Sequence, residues 1–175
     1  ASQGESGSVS LAVGASATDV GGNFVLDAGS SATATGGNVE LAAGSGVNGG
    51  SVLFVAGAGS IETGGNIELQ TGSSTSSASG ALRFSSANSA TSSSGAIEMQ
   101  SGVAVAGASG SLKMQVGTSQ SAVGNIILSV GNSANAAGSV TIAAGQSSSQ
   151  TGGSIHIQSG SSSQGVGGSV DIKTG

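Results

Sequence analysis

The chain has no cysteine, proline, tryptophan or tyrosine, only three phenylalanines, and charged residues amount to 6%. Without cysteine there can be no disulfide, thiolate zinc site or thiol nucleophile. Without tryptophan or tyrosine there is no aromatic platform on which a sugar ring would stack. The only cations are Arg83, Lys113 and Lys173, and the net charge is -5, so no basic footprint for DNA or RNA exists. No apolar run approaches the roughly 20 residues a spanning helix needs, and residues 1–30 lack a basic start followed by an apolar stretch. Histidine occurs once, at His156, which rules out a His pair or a His/Cys metal set.

What the chain does have is 34 glycines, many serines and an apolar fraction of 36%. Glycine and serine alone would suggest a disordered linker, but such segments combine high charge with low hydrophobicity, and this chain has neither. Its apolar residues follow a repeat: an eight-residue module reading Gly, small, apolar, variable, apolar, variable, small, Gly. The twelve modules begin at Gly7, Gly22, Gly37, Gly50, Gly65, Gly80, Gly95, Gly110, Gly124, Gly138, Gly153 and Gly168. The steps between them are 13 to 15 residues, and every shortening falls in the Ser-rich half between modules, the half that holds the adjustable turns.

The third module position reads Val9, Phe24, Val39, Val52, Ile67, Leu82, Ile97, Leu112, Ile126, Val140, Ile155 and Val170. The fifth reads Leu11, Leu26, Leu41, Phe54, Leu69, Phe84, Met99, Met114, Leu128, Ile142, Ile157 and Ile172. A separation of two is the period of a strand with one buried face, whereas a helix needs apolar residues three and four apart. One such strand cannot cover its own face; stacked copies would make two continuous apolar columns. The sequence therefore predicts an all-β fold over residues 1–175, a single parallel β-solenoid of about 12 coils with a flattened cross-section, in which these twenty-four side chains form the core. The residues before the next glycine, such as Val20, Thr35, Thr63 and Thr151, suggest a second, thinner strand. Flanking glycines are expected at corners needing positive φ, with Asn23, Asn38, Asn66 and Asn125 as corner residues.

The outward fourth position supplies a register signal. Consecutive coils carry Glu68, Arg83, Glu98 and Lys113, a charge ladder of alternating sign that in-register stacking favours. His156 holds the same position, with Asp171 one coil away, and is expected to make a surface ion pair.

No pattern points to catalysis, and no cofactor or metal is expected. A Ser-His-Asp triad would need one privileged serine among dozens. Glu40, Glu68 and Glu98 lie whole coils apart, which does not suit a pair of hydrolytic carboxylates. Gly44-Ser45-Gly46-Val47-Asn48-Gly49 matches GxGxxG but leads into a strand-like module, not a helix. Runs such as Gly64-Gly65-Asn66-Ile67 share spacing with calcium-binding nonapeptide repeats, without their recurring Asp.

Modules such as Asn38-Val39-Glu40-Leu41-Ala42-Ala43-Gly44 and Gly168-Ser169-Val170-Asp171-Ile172-Lys173-Thr174-Gly175 resemble the Gly/Ser-rich β-solenoid repeats of large surface proteins of algae, related protists and bacterial adhesins. That resemblance implies a structural, extracellular or cell-surface protein forming a stiff rod, filament or adhesin stalk, and it carries over no site residues. The alternatives are an ice- or surface-binding solenoid, for which the ordered threonine rows are lacking, and a carbohydrate-binding β-helix. The first module begins at Gly7 and Gly175 closes the twelfth, so the expected partner is further coils: an excerpt of a longer array, or a subunit that self-associates end to end.

Overall fold

A computed structural model describes Gly4 and residues 7–175; the half-coil read for residues 1–6 lies mostly outside the described residues. Among the described residues there is no helix and no strand, and contacts between residues distant in the sequence are sparse. The chain is therefore not a β-solenoid. Among the described residues no helix is long and apolar enough to cross a membrane.

The twelve modules are present as bend-free segments, and the bends fall in the Ser-rich loops, at residues 17–19, 32–34, 75–77, 148–150 and their equivalents. Consecutive segments approach where each loop begins and ends. Six of these necks are closed by a backbone hydrogen bond in which a module's first glycine donates to the last glycine of the module before it. They are Gly37 to Gly29 at 2.7 Å, Gly50 to Gly44 at 2.9 Å, Gly65 to Gly57 at 2.9 Å, Gly80 to Gly72 at 3.0 Å, Gly153 to Gly145 at 2.9 Å and Gly168 to Gly160 at 2.8 Å. A solenoid coil needs a full ladder of bonds to the next coil, about 4.8 Å away. Here the bonding stops at the neck.

The loops carry bonds of their own. A serine nine residues after the module glycine accepts backbone N–H bonds from the residues that follow it. Ser31 Oγ accepts from Ala34 at 3.0 Å, Ser74 Oγ from Ser77 at 3.0 Å, Ser147 Oγ from Gln150 at 2.9 Å and Ser162 Oγ from Gly165 at 2.9 Å. Side-chain caps of this kind compete with a strand ladder for the same donors. They curl the half-coil that would have been the second strand. The glycines also act differently from expectation: no described residue, glycine or otherwise, has positive φ. Gly and Asn are not left-handed corners in this chain.

Surface area shows the consequence. The chain exposes 17483 Å², against about 7,400 Å² for a compact monomer of its mass and about 23,000 Å² for the unfolded chain. No described residue is buried, and all twenty-four column residues, from Val9 to Ile172, are exposed instead of forming a core. The contacts divide the chain into two units, Ala1–Ser85 and Ser86–Gly175.

Candidate functional site: module faces and necks

Modules four, eleven and twelve show two distinct faces. On the outward face, the fourth and sixth positions reach one another: His156 Nε2 lies 3.2 Å from Gln158 Oε1, and Lys173 Nζ lies 3.0 Å from Asp171 Oδ2. Side chains two apart meet when an extended segment points both to one side. The third, fifth and seventh positions share the other side. Exposure follows the same alternation in module four, where outward Leu53 is 82% exposed and its column neighbours Val52 and Phe54 are 50% and 65%. The period-two reading of the sequence thus survives within a module, although the stacking inferred from it does not.

The seventh position is the part that sequence reasoning missed. The pattern marks it only as small, yet Ala56, Thr71, Val116 and Ser159 are the only half-buried residues among those described, and all four occupy it. Each stands against the first glycine of the next module. A Cβ placed on Gly65 would lie 3.4 Å from Ala56 Cβ, one on Gly80 3.2 Å from Thr71 Cβ, and one on Gly153 3.3 Å from Ala144 Cβ. Glycine permits this close approach, most tightly at Gly80 and Gly153. The available signal was the fixed interval of eight or nine residues, seven at the shortest loop, between a small seventh residue and the next module glycine. The capping serines, Ser16, Ser31, Ser74, Ser89, Ser119, Ser133, Ser147 and Ser162, carried a similar signal in their constant offset.

The charge ladder does not pair within a unit. Glu68 and Arg83 make no ion pair in the first unit, nor do Glu98 and Lys113 in the second; the ion pair formed among the described residues is Lys173 with Asp171. Both members are largely exposed, so the pair contributes little to stability. The expected His156–Asp171 pair is replaced by these two contacts within single modules. The GxGxxG match at residues 44–49 forms the shortest neck, where a Cβ on Gly46 would meet Asn48 O at 3.0 Å. Its glycines serve a tight turn.

Among the described residues no cavity opens, and no three His, Asp or Glu side chains converge. What the chain offers chemically is repetition: twelve segments, each with an apolar strip and with backbone groups without intrachain backbone partners away from the necks, and all but module four with a polar or charged residue at the fourth or sixth position. Compared with known proteins, the chain matches no family model, no curated protein and no solved structure.

Proposed function

We propose that this chain has a structural role, as a repetitive element of an extracellular or cell-surface assembly whose apolar modules are covered by other copies. The observation that carries this reading is the exposure of every column residue, with no buried core among the described residues. Contiguous exposed apolar surface marks an interaction site, and a strip repeated twelve times suits a partner that repeats in the same way. Association along the module faces takes the place of end-to-end joining, which depended on a stacked column. The Gly/Ser-rich composition fits a surface filament or stalk.

Sedimentation and negative-stain microscopy over a rising concentration series test the reading. It expects assemblies that grow with concentration and dissociate on dilution. A monodisperse 16.0 kDa monomer at every concentration would overturn it.

A further inference from the structure

We propose that the partner covering the modules is a second copy of this chain lying antiparallel beside the first, about a two-fold axis between modules six and seven, so that Ala1–Ser85 of one copy pairs with Ser86–Gly175 of the other. This inference rests on the self-associating reading and adds direction and register to it.

Three observations lead to it. The first is the backbone: apart from the six neck bonds, no backbone–backbone hydrogen bond forms among the described residues. Module centres such as Ile67-Glu68-Leu69 therefore present unpaired strand groups, and an extended segment of another chain can complete them.

The second is charge. Antiparallel pairing about this axis sets module five against module eight and module six against module seven. Glu68 then faces Lys113 and Arg83 faces Glu98, each pair occurring twice by symmetry. Parallel pairing in register would place all four residues opposite their own copies, a like-charge arrangement that destabilises directly opposed positions. The units differ in the same sense. Ala1–Ser85 holds six acidic residues against Arg83 alone, whereas in Ser86–Gly175 Glu98 and Asp171 are balanced by Lys113 and Lys173. Pairing unlike units keeps the two acidic ones apart.

The third is spacing. Module starts lie 15, 30, 43, 58 and 73 residues after Gly7, and 15, 30, 44, 58 and 73 residues before Gly168. The single mismatch of one residue falls in a loop. Read in either direction, the repeat presents its modules at matching intervals, as a two-fold pairing requires. A third-position side chain then meets a fifth-position one across the junction, uniting the two apolar columns on one face.

Because the chain has no cysteine, introduced thiols report without background. Val25→Cys in module two and His156→Cys in module eleven would be mixed at equal concentration and gently oxidised; neither touches the four central charges. The expected product is the mixed 25–156 disulfide, several-fold above its statistical share. Homodisulfides in excess, or a purely statistical mixture, would overturn the antiparallel arrangement and leave self-association standing. Failure to associate at any concentration would overturn both. A second readout is the charge pair: Arg83→Glu should weaken association about tenfold at low salt and much less at high salt, since screening shortens the reach of exposed charges. Adding Glu98→Arg to the same chain should restore it. If the ladder paired within one copy, that double exchange would leave an acid beside Glu68 and a cation beside Lys113, and no restoration would follow.

Discussion

The first unit closes its necks at Gly37, Gly50, Gly65 and Gly80, leaving only Gly22 without a bond; the second closes them at Gly153 and Gly168 and leaves Gly95, Gly110, Gly124 and Gly138 open. The two units share one repeat, so the difference isolates what a neck requires. Closed necks have Ala, Ser or Thr at the seventh position, and all but the one at Gly80 are entered through a glycine pair such as Gly64-Gly65. Open necks have a branched Val13, Val116 or Val130 there, or enter through Ser94 or Ser109 in place of a glycine. The valines crowd the approach: a Cβ on Gly22 would stand 2.6 Å from Val13 Cγ1, and one on Gly138 2.9 Å from Val130 Cγ1. Nothing in the structure explains why Ser79 permits closure at Gly80.

The largest effect should come from forcing a closed neck open. Gly65→Val would drive a branched side chain against Ala56 Cβ and Gly57 N, both 3.4 Å from the new Cβ. Loss of the neck bond, a net contribution of about 0.5–1.5 kcal/mol, should raise amide exchange in the loop after Gly57 up to about tenfold. Gly95→Val in the second unit, where the nearest atom is Ser86 Cβ at 3.9 Å, should change little. Equal responses at the two sites would break the comparison.

Val13→Ala tests the converse. The neck at Gly22 has eight-residue spacing and a glycine pair, so the valine is what separates it from its closed neighbours. The substitution should close the neck and slow exchange of the Gly22 amide several-fold. Smaller effects are expected in the loops: Ser74→Ala removes the acceptor for Ser76 N–H at 3.3 Å and Ser77 N–H at 3.0 Å, a loss at the lower end of about 0.5–1.5 kcal/mol because the site is exposed. Ala104→Ser, at the one loop of the second unit lacking that serine, should slow exchange of the amides that follow it. Smallest of all, Lys173→Ala should shift stability by less than about 0.5 kcal/mol, and the shift should vanish in salt.

Much of the module was legible in the sequence. The alternation that sets His156 beside Gln158 and Lys173 beside Asp171 follows from the period of an extended chain, which is local. The stacking was not legible, because a repeated apolar strip shows that a face needs cover without showing whether the next coil or another chain supplies it. The Ser-rich composition marks where the turns lie, without showing that single serines are specific caps. The glycines were read as corners, whereas close approach at Gly37 and Gly153 is what they provide. In both cases the offset between coils carried the information, and reading residue type alone concealed it.

Residue-resolved amide exchange on the dilute, unassociated chain tests the central claim most directly. Slowed exchange is expected at the neck donors Gly37, Gly50, Gly65, Gly80, Gly153 and Gly168 and at capped loop amides such as Ala34, Ser77 and Gln150, with fast exchange at module centres such as Ile67 and Leu69. Continuous protection along both apolar columns in the dilute chain would show coils stacked on one another and would contradict the account.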